Sequence, residues 1–257
     1  MRILLSNDDG IDAPGLAALY HAVSDLGAVT VAAPDSPQSA TGHGITLKSP
    51  LTVRRLRAGE HAGGFDGLRV DGRPADCVRL AIRSLMPEPP QFVLSGINCG
   101  ANVGINIFYS GTVAAAAEAA MLGYPAIAFS VRSGEGEIDW PTVARLCRAV
   151  LDRLLPALRP AELVNVNIPS LAEGPPRGVH VVPQSTAGLT DTYLRHIDEE
   201  GTERFRLADE YGFVRREPDT DVVSLSEGFI TVTPLHVNMT DGRRLRTLRE
   251  LDWPPLP

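Results

Sequence analysis

"RILLSNDDGIDAPGLAALYHAVSDLGAVTVAAP", residues 2–34, changes its hydrophobic period twice. Residues 2 to 6 form a short apolar run, the pattern of a strand buried on both faces. From Pro14 to residue 26, Leu16, Leu19, Tyr20 and Val23 fall on one face of a helix that stops at Gly27. Residues 28 to 33 then return to a β-branched apolar run. Strand, helix and strand at this spacing predict two parallel strands joined by a right-handed crossover.

The alternation continues outward. Further strands are expected at 92–95, 126–131 and 163–168, and further helices at 74–86, 112–122 and 141–158. The fold class is therefore α/β, a three-layer Rossmann-like parallel sheet with helices on both faces. A chain of 257 residues suits one such domain with an extension. After about residue 170 the pattern changes. Gly174-Pro175-Pro176 marks a break, and residues 184–220 are polar, charged and weakly periodic before apolar runs resume at 222–225 and 229–232. The expected organisation is a catalytic core over 1–183. Residues 184–257 supply a C-terminal extended arm and a strand returning to the same domain. So long a segment suits a functional element better than a simple connection. Tyr193, Phe205, Tyr211 and Phe213 make it richer in aromatics than a disordered tract. The arm is expected to pack on a partner subunit.

A net charge of -7 tells against wrapping a nucleic-acid duplex, although a local site for one phosphate remains compatible with it. No apolar stretch approaches the ~20 residues of a membrane span, and the N-terminus has none of the regions of a secretion signal. Cys77, Cys99 and Cys147 fit neither a disulfide framework nor a zinc site. A reduced, cytoplasmic location is expected.

Ligands of open parallel sheets bind beyond the carboxyl ends of the strands, where four loops of this chain fall. In Asn7-Asp8-Asp9-Gly10, adjacent carboxylates repel unless a cation neutralises them, and hard oxygens suit Mg²⁺ or Mn²⁺. The same residues also suit a turn that caps the following helix. In the hydroxyl-rich loop 33–42, Ser39 offers an oxygen to a metal or phosphate, or simply belongs to a surface turn. In loop 94–104, Gly96, Gly100 and Gly104 permit close backbone approach, and Asn98 and Asn102 add amide groups. A structural glycine loop is the alternative there, and the glycine spacing is not the dinucleotide fingerprint. Tyr109-Ser110-Gly111-Thr112 opens an alanine-rich helix, whose free N–H groups and dipole suit an anion. Ser110 and Thr112 equally suit plain capping.

In their order along the chain, "NDDG", "PDSPQS", "SGINCGANVG" and "YSGT" resemble the SurE survival-protein nucleotidases. The resemblance extends through "VDGRPADCVRLAI", "NVNIP" and "DTDVVSLSEGFITVTPL". It implies a metal-dependent phosphomonoesterase, of the 5'-nucleotidase type, that hydrolyses nucleoside 5'- and 3'-monophosphates. It also implies assembly as a homodimer or homotetramer, and one divalent ion, Mg²⁺ or Mn²⁺, on Asp8, Asp9, Ser39 and Asn98. On that basis Asp8 or Asp9 orients the attacking water or takes its proton, and Asn102, Ser110, Gly111 and Thr112 receive the phosphoryl group. Ala40, Ala114 and Ala119 stand where the family usually has glycine, and residues 204–211 lack its aromatic cluster. These departures bear on substrate range and assembly. His236 suggests an acid, although a lone histidine near a strand end is more often structural. A dinucleotide oxidoreductase would need a glycine turn where Asp8 and Asp9 stand. A non-catalytic nucleotide- or polyphosphate-binding stress protein would keep the phosphate cup and need no metal shell.

Overall fold

The computed structural model describes residues 1–59, 64–208 and 212–254; Tyr211 lies outside them. The chain runs β1 (Arg2–Ser6), α1 (Pro14–Val23), β2 (Ala28–Pro34), β3 (Val53–Ala58), β4 (Phe65–Val70), α2 (Pro74–Leu80), β5 (Phe92–Cys99), α3 (Gly111–Met121), β6 (Ala126–Val131), α4 (Trp140–Leu154) and β7 (Leu163–Ile168). It continues with β8 (Val179–Val181), β9 (Tyr193–Ile197), β10 (Glu203–Leu207), α5 (Asp221–Ser226), β11 (Ile230–Leu235) and α6 (Gly242–Arg249).

The sheet has the order β3-β4-β2-β1-β5-β6-β7-β11-β8. Its centre is parallel, as expected from the strand and helix alternation, while β3 and β11 run antiparallel to β4 and β7. The antiparallel β3 carries Arg54, Arg55 and Arg57, so its composition hid it from a search for apolar runs, and charge suits an exposed edge. Side-chain alternation in β1 explains the three layers. Ile3 and Leu5 pack with Leu16, Leu19, Val143 and Leu151 of α1 and α4. Leu4 packs with Val78 of α2 and the alanines of α3 on the other face.

Strand β1 is followed by a crossover to β2 on one side, and β5 later adds on the other. The connections therefore diverge at β1, which opens a crevice at the carboxyl ends of β1 and β5. Strand β5 outruns its expected end at residue 95. Its register against β6 moves from Ser95↔Ala128 to Asn98↔Ser130, an extra residue that forms a bulge. At the bulge Gly96 has φ +124, and a Cβ there would lie 2.2 Å from the Phe129 carbonyl oxygen. Only glycine suits that position, and the bulge carries Asn98 into the crevice.

In the segment expected to form an arm, β9 and β10 pair only with each other, antiparallel from Glu203↔Ile197 to Leu207↔Tyr193. Every residue of both strands is exposed. The returning strand is β11, and the apolar residues 222–225 lie in the short helix α5.

Helix α1 starts hard against the crevice. A Cβ at Gly15 would fall 2.0 Å from the Ile97 carbonyl oxygen and 2.8 Å from the Trp140 ring. Gly15→Ala is therefore expected to cost roughly 1–3 kcal/mol by overpacking, read as a fall of about 2–4 °C in melting temperature per kcal/mol. An unchanged melting temperature would show that α1 does not press on β5.

Candidate active site

Asp8 and Asp9 follow β1 directly, and the chain then turns at Gly10, whose φ is +99. The Asn7 side-chain amide donates to the Gly10 carbonyl at 2.9 Å and closes the turn. Asp8 is buried, whereas Asp9 is half-buried. The Asp8 carboxylate meets the start of α3, where the Thr112 hydroxyl donates to Oδ1 and Thr112 supplies a backbone hydrogen bond as well. The anion at this helix start is thus one of the protein's own carboxylates. Gly111 permits the approach, since a Cβ there would lie 2.7 Å from Asp8 Cβ.

A cleft of about 430 Å³ opens over the pair. Asp8, Asp9, Ser39 and Asn98, contributed by three different loops, all line it, together with Asn102 and Ser110. Gly111 and Thr112 are not among the described lining residues, because they stand behind Asp8. Ser110 caps α3 by accepting from the Val113 N–H at 3.0 Å. The other wall is formed by Asn106, Tyr109, Leu189, Asp191, Tyr193 and Leu207, so the arm reaches the cleft. His236 lies elsewhere, in a groove beside α3 with Glu118 and Met239.

Asp9, Asn98 and Asn102 are held from behind. The Cys99 N–H donates to Asp9 Oδ2 at 3.2 Å. Asn98 Nδ2 donates to the Gly100 carbonyl at 2.7 Å, which leaves its oxygen as the available group. Asn102 sits in a buried polar network: its N–H donates to Asn167 Oδ1 at 2.8 Å, and its side-chain amide donates to Ser130 Oγ at 2.9 Å. Its carbonyl accepts from Asn165 at 2.7 Å and Asn167 at 3.0 Å. Sequence reasoning missed Asn165, Asn167 and Ser130. The signal was present in "NVNIP", where two asparagines alternate with apolar residues on a strand otherwise expected to be buried throughout. The lining residues Asn106, Leu189, Asp191 and Leu207 were also missed, and no local pattern marked them.

Ala40, beside Ser39, adopts φ +55. An L-residue pays roughly 1–2 kcal/mol in that left-handed region, a cost that glycine would avoid.

Three carboxylates, Asp8, Asp9 and Asp191, face the cleft, and no Lys, Arg or His is among its described lining residues. Burial pushes the Asp8 carboxyl up to about 6; the Thr112 hydrogen bond opposes this, and the Asp9 charge adds to it. Burial raises Asp9 as well. The site therefore lacks positive charge. Among the described residues no trio of His, Cys, Asp or Glu gathers as a metal site. A cation here would be held by two carboxylates with neutral hydroxyl and amide oxygens, a set that fits a hard divalent ion.

The raised Asp8 pKa sets a sign. The folded chain holds the Asp8 proton up to about pH 6, whereas an unfolded carboxyl of ordinary pKa releases it near pH 4. Metal-free stability should therefore fall as pH rises through this window, by on the order of 3 kcal/mol, and return on acidification. Asp8→Asn should raise the melting temperature at about pH 7 in EDTA and flatten the profile between about pH 4 and 7. Parallel profiles for parent and variant would contradict this assignment.

Comparison with known proteins agrees with the geometry. A family profile described as survival protein SurE matches residues 3–191. A protein named 5'-nucleotidase SurE from Nitratidesulfovibrio vulgaris is 44% identical over 257 residues, covering 98% of this chain and 100% of its own. Another of that name, from Syntrophobacter fumaroxidans, is 42% identical over 252 residues, covering 96% and 98%. The crystal structure of SurE protein from Aquifex aeolicus is 36% identical, covers 97% of this chain and 98% of its own, and superposes with a TM-score of 0.83. The chain belongs to the SurE survival-protein family.

Proposed function

We propose that the chain is a nucleotidase that hydrolyses nucleoside 5'- and 3'-monophosphates to nucleoside and phosphate with one divalent ion, Mg²⁺ or Mn²⁺, held by Asp8, Asp9, Ser39 and Asn98. The observation that carries this reading is the cleft's charge. Oxygen ligands converge from three loops, and no described basic side chain is present to receive a phosphate dianion. The names of the relatives support the same activity.

When bound, the ion supplies the charge that polarises a phosphoryl oxygen and acidifies a water molecule. Asp8 is fixed by Thr112 and serves as a rigid ligand. Asp9 is tethered through Oδ2 to the Cys99 N–H, and its other oxygen can take the proton from the attacking water. Asn102 and Ser110 line the cleft beside the carboxylates and receive the phosphoryl oxygens as the bond to the nucleoside oxygen breaks. The start of α3 acts on this charge through Asp8 rather than by direct contact. Tyr109 and the arm's Leu189, Tyr193 and Leu207 offer an apolar wall to the nucleoside. A phosphate-binding stress protein without catalysis would have no use for the carboxylate pair.

Among the described residues no helix is long and apolar enough to cross a membrane, and Cys77, Cys99 and Cys147 are free. The three free thiols suit a reduced, cytoplasmic setting.

Asp9→Asn should lower turnover by roughly a hundredfold or more while the fold survives, since even groups that merely orient ligands are worth about 10–100-fold. EDTA should abolish the parent's activity on a panel of nucleoside monophosphates, and Mn²⁺ or Mg²⁺ should restore it. Near-normal turnover of Asp9→Asn at limiting metal would remove the ligand assignment.

The arm is the proposed assembly element, through which the chain forms a homodimer or homotetramer. Leu194, Ile197 and Phe205 are exposed on its hairpin and are not among the described cleft-lining residues, and a partner subunit would cover them. Replacing residues 188–216 by a short Gly-Ser linker should lower the mass seen in light scattering and also reduce activity, because a cleft wall is lost. A variant with the parent's mass would place the interface elsewhere.

A further inference from the structure

Ser39 is exposed, and no hydrogen bond to its hydroxyl forms among the described residues. Its position depends on residues 35–52, which contain no helix or strand. That loop is fastened at its ends. The Gln38 N–H donates to the Asp8 carbonyl at 2.7 Å, and the Thr46 N–H and Oγ1 donate to Asp76 at 2.8 and 2.7 Å. Between them the Gly42 N–H donates to the Tyr109 carbonyl at 3.0 Å. Among the described residues, His43 is the one side chain between Ser39 and Thr46 that hydrogen-bonds to the body of the domain. Its Nε2 lies 2.8 Å from Glu118 Oε2 on α3. Gly42 and Gly44 flank it, so the His43 contact adds a side-chain tether to a stretch otherwise held there by the Gly42 N–H.

Glu118 is a carboxylate with 1% side-chain exposure on an alanine-rich helix. Arg79 makes an ion pair with Oε1 at 2.7 Å, without hydrogen-bond alignment. His43 is therefore the hydrogen-bond partner of the buried acid among the described residues. A carboxylate drawn this far out of water is costly even when partly exposed cations reach it, so stability alone does not account for a glutamate at this place. What the glutamate gains is a fixed point for the loop, on the same helix whose first turn holds Asp8.

We infer that His43, held by Glu118, is the positioning residue for Ser39: it fixes the loop that presents the Ser39 hydroxyl to the metal. The inference rests on the proposed metal site. The test is calorimetric titration with Mn²⁺ of the full chain and its variants, with melting temperatures measured in EDTA. His43→Ala should weaken Mn²⁺ binding about tenfold, and His43→Gln, which keeps an N–H donor near the Nε2 position, should recover most of the loss. Glu118→Met leaves no buried charge, so it should hold or raise the melting temperature while weakening Mn²⁺ binding as His43→Ala does. Combined with Ser39→Ala, His43→Ala should add no further loss, because both act through one ligand. Parent-like Mn²⁺ affinity in both His43→Ala and Glu118→Met, or additive losses in the double variant, would overturn the inference and leave the metal site standing. Unchanged affinity in Ser39→Ala would instead overturn the ligand assignment beneath it.

Discussion

Two carboxylates in successive residues at the end of a buried strand repel each other, and the molecule is arranged around that repulsion. Asp8 is drawn out of water and held by Thr112 at the positive start of α3. Gly111 has no side chain, which lets the helix come so close. Asp9 stays nearer the solvent and is steadied by the Cys99 backbone. Neither contact brings a positive side chain to the pair, and burial holds both carboxyls above their ordinary range. The bulge in β5 and the tethered loop after β2 bring neutral oxygens into the cleft over the pair, the place proposed for a divalent ion.

Much of this was legible in the residues. The apolar runs of β1, β6 and β7, and the second half of β2, are buried on both faces, so their composition alone marks them, and the start at Pro14 and stop near Gly27 bounded the first helix. The proposed ligands were visible as short motifs because Asp8, Asp9 and Asn98 lie at or just beyond strand ends and Ser39 in the loop that follows β2. Other features were hidden for physical reasons. An edge strand such as β3 exposes one face and one rim to water, so arginines suit it and the apolar signal disappears. The β9–β10 hairpin buries neither face within this chain, and its alternation is confined to the four residues Arg204-Phe205-Arg206-Leu207, too short to stand out. Thr112 looked like a donor for an outside anion because sequence shows a helix start but not which anion meets it. The pairing of His43 with Glu118 joins residues 75 positions apart, and neither has a local reason to be noticed.

The loop that carries Asn98 and Asn102 is gripped largely by its main chain. Asn165 and Asn167 hold the carbonyl of residue 102, Asp221 accepts the N–H of residue 104 at 2.8 Å, and Gln184 donates to its carbonyl at 2.9 Å. Main-chain atoms are the same whatever the side chain, so substitutions within the loop leave these contacts in place provided the backbone path survives. The vulnerable positions are the gripping side chains, which lie 63 to 117 residues downstream. A mutational scan confined to the recognised motif would therefore record tolerance at several positions. The intolerance belonging to the same site would be found on β7, at the root of the arm and in α5, where nothing in the motif points.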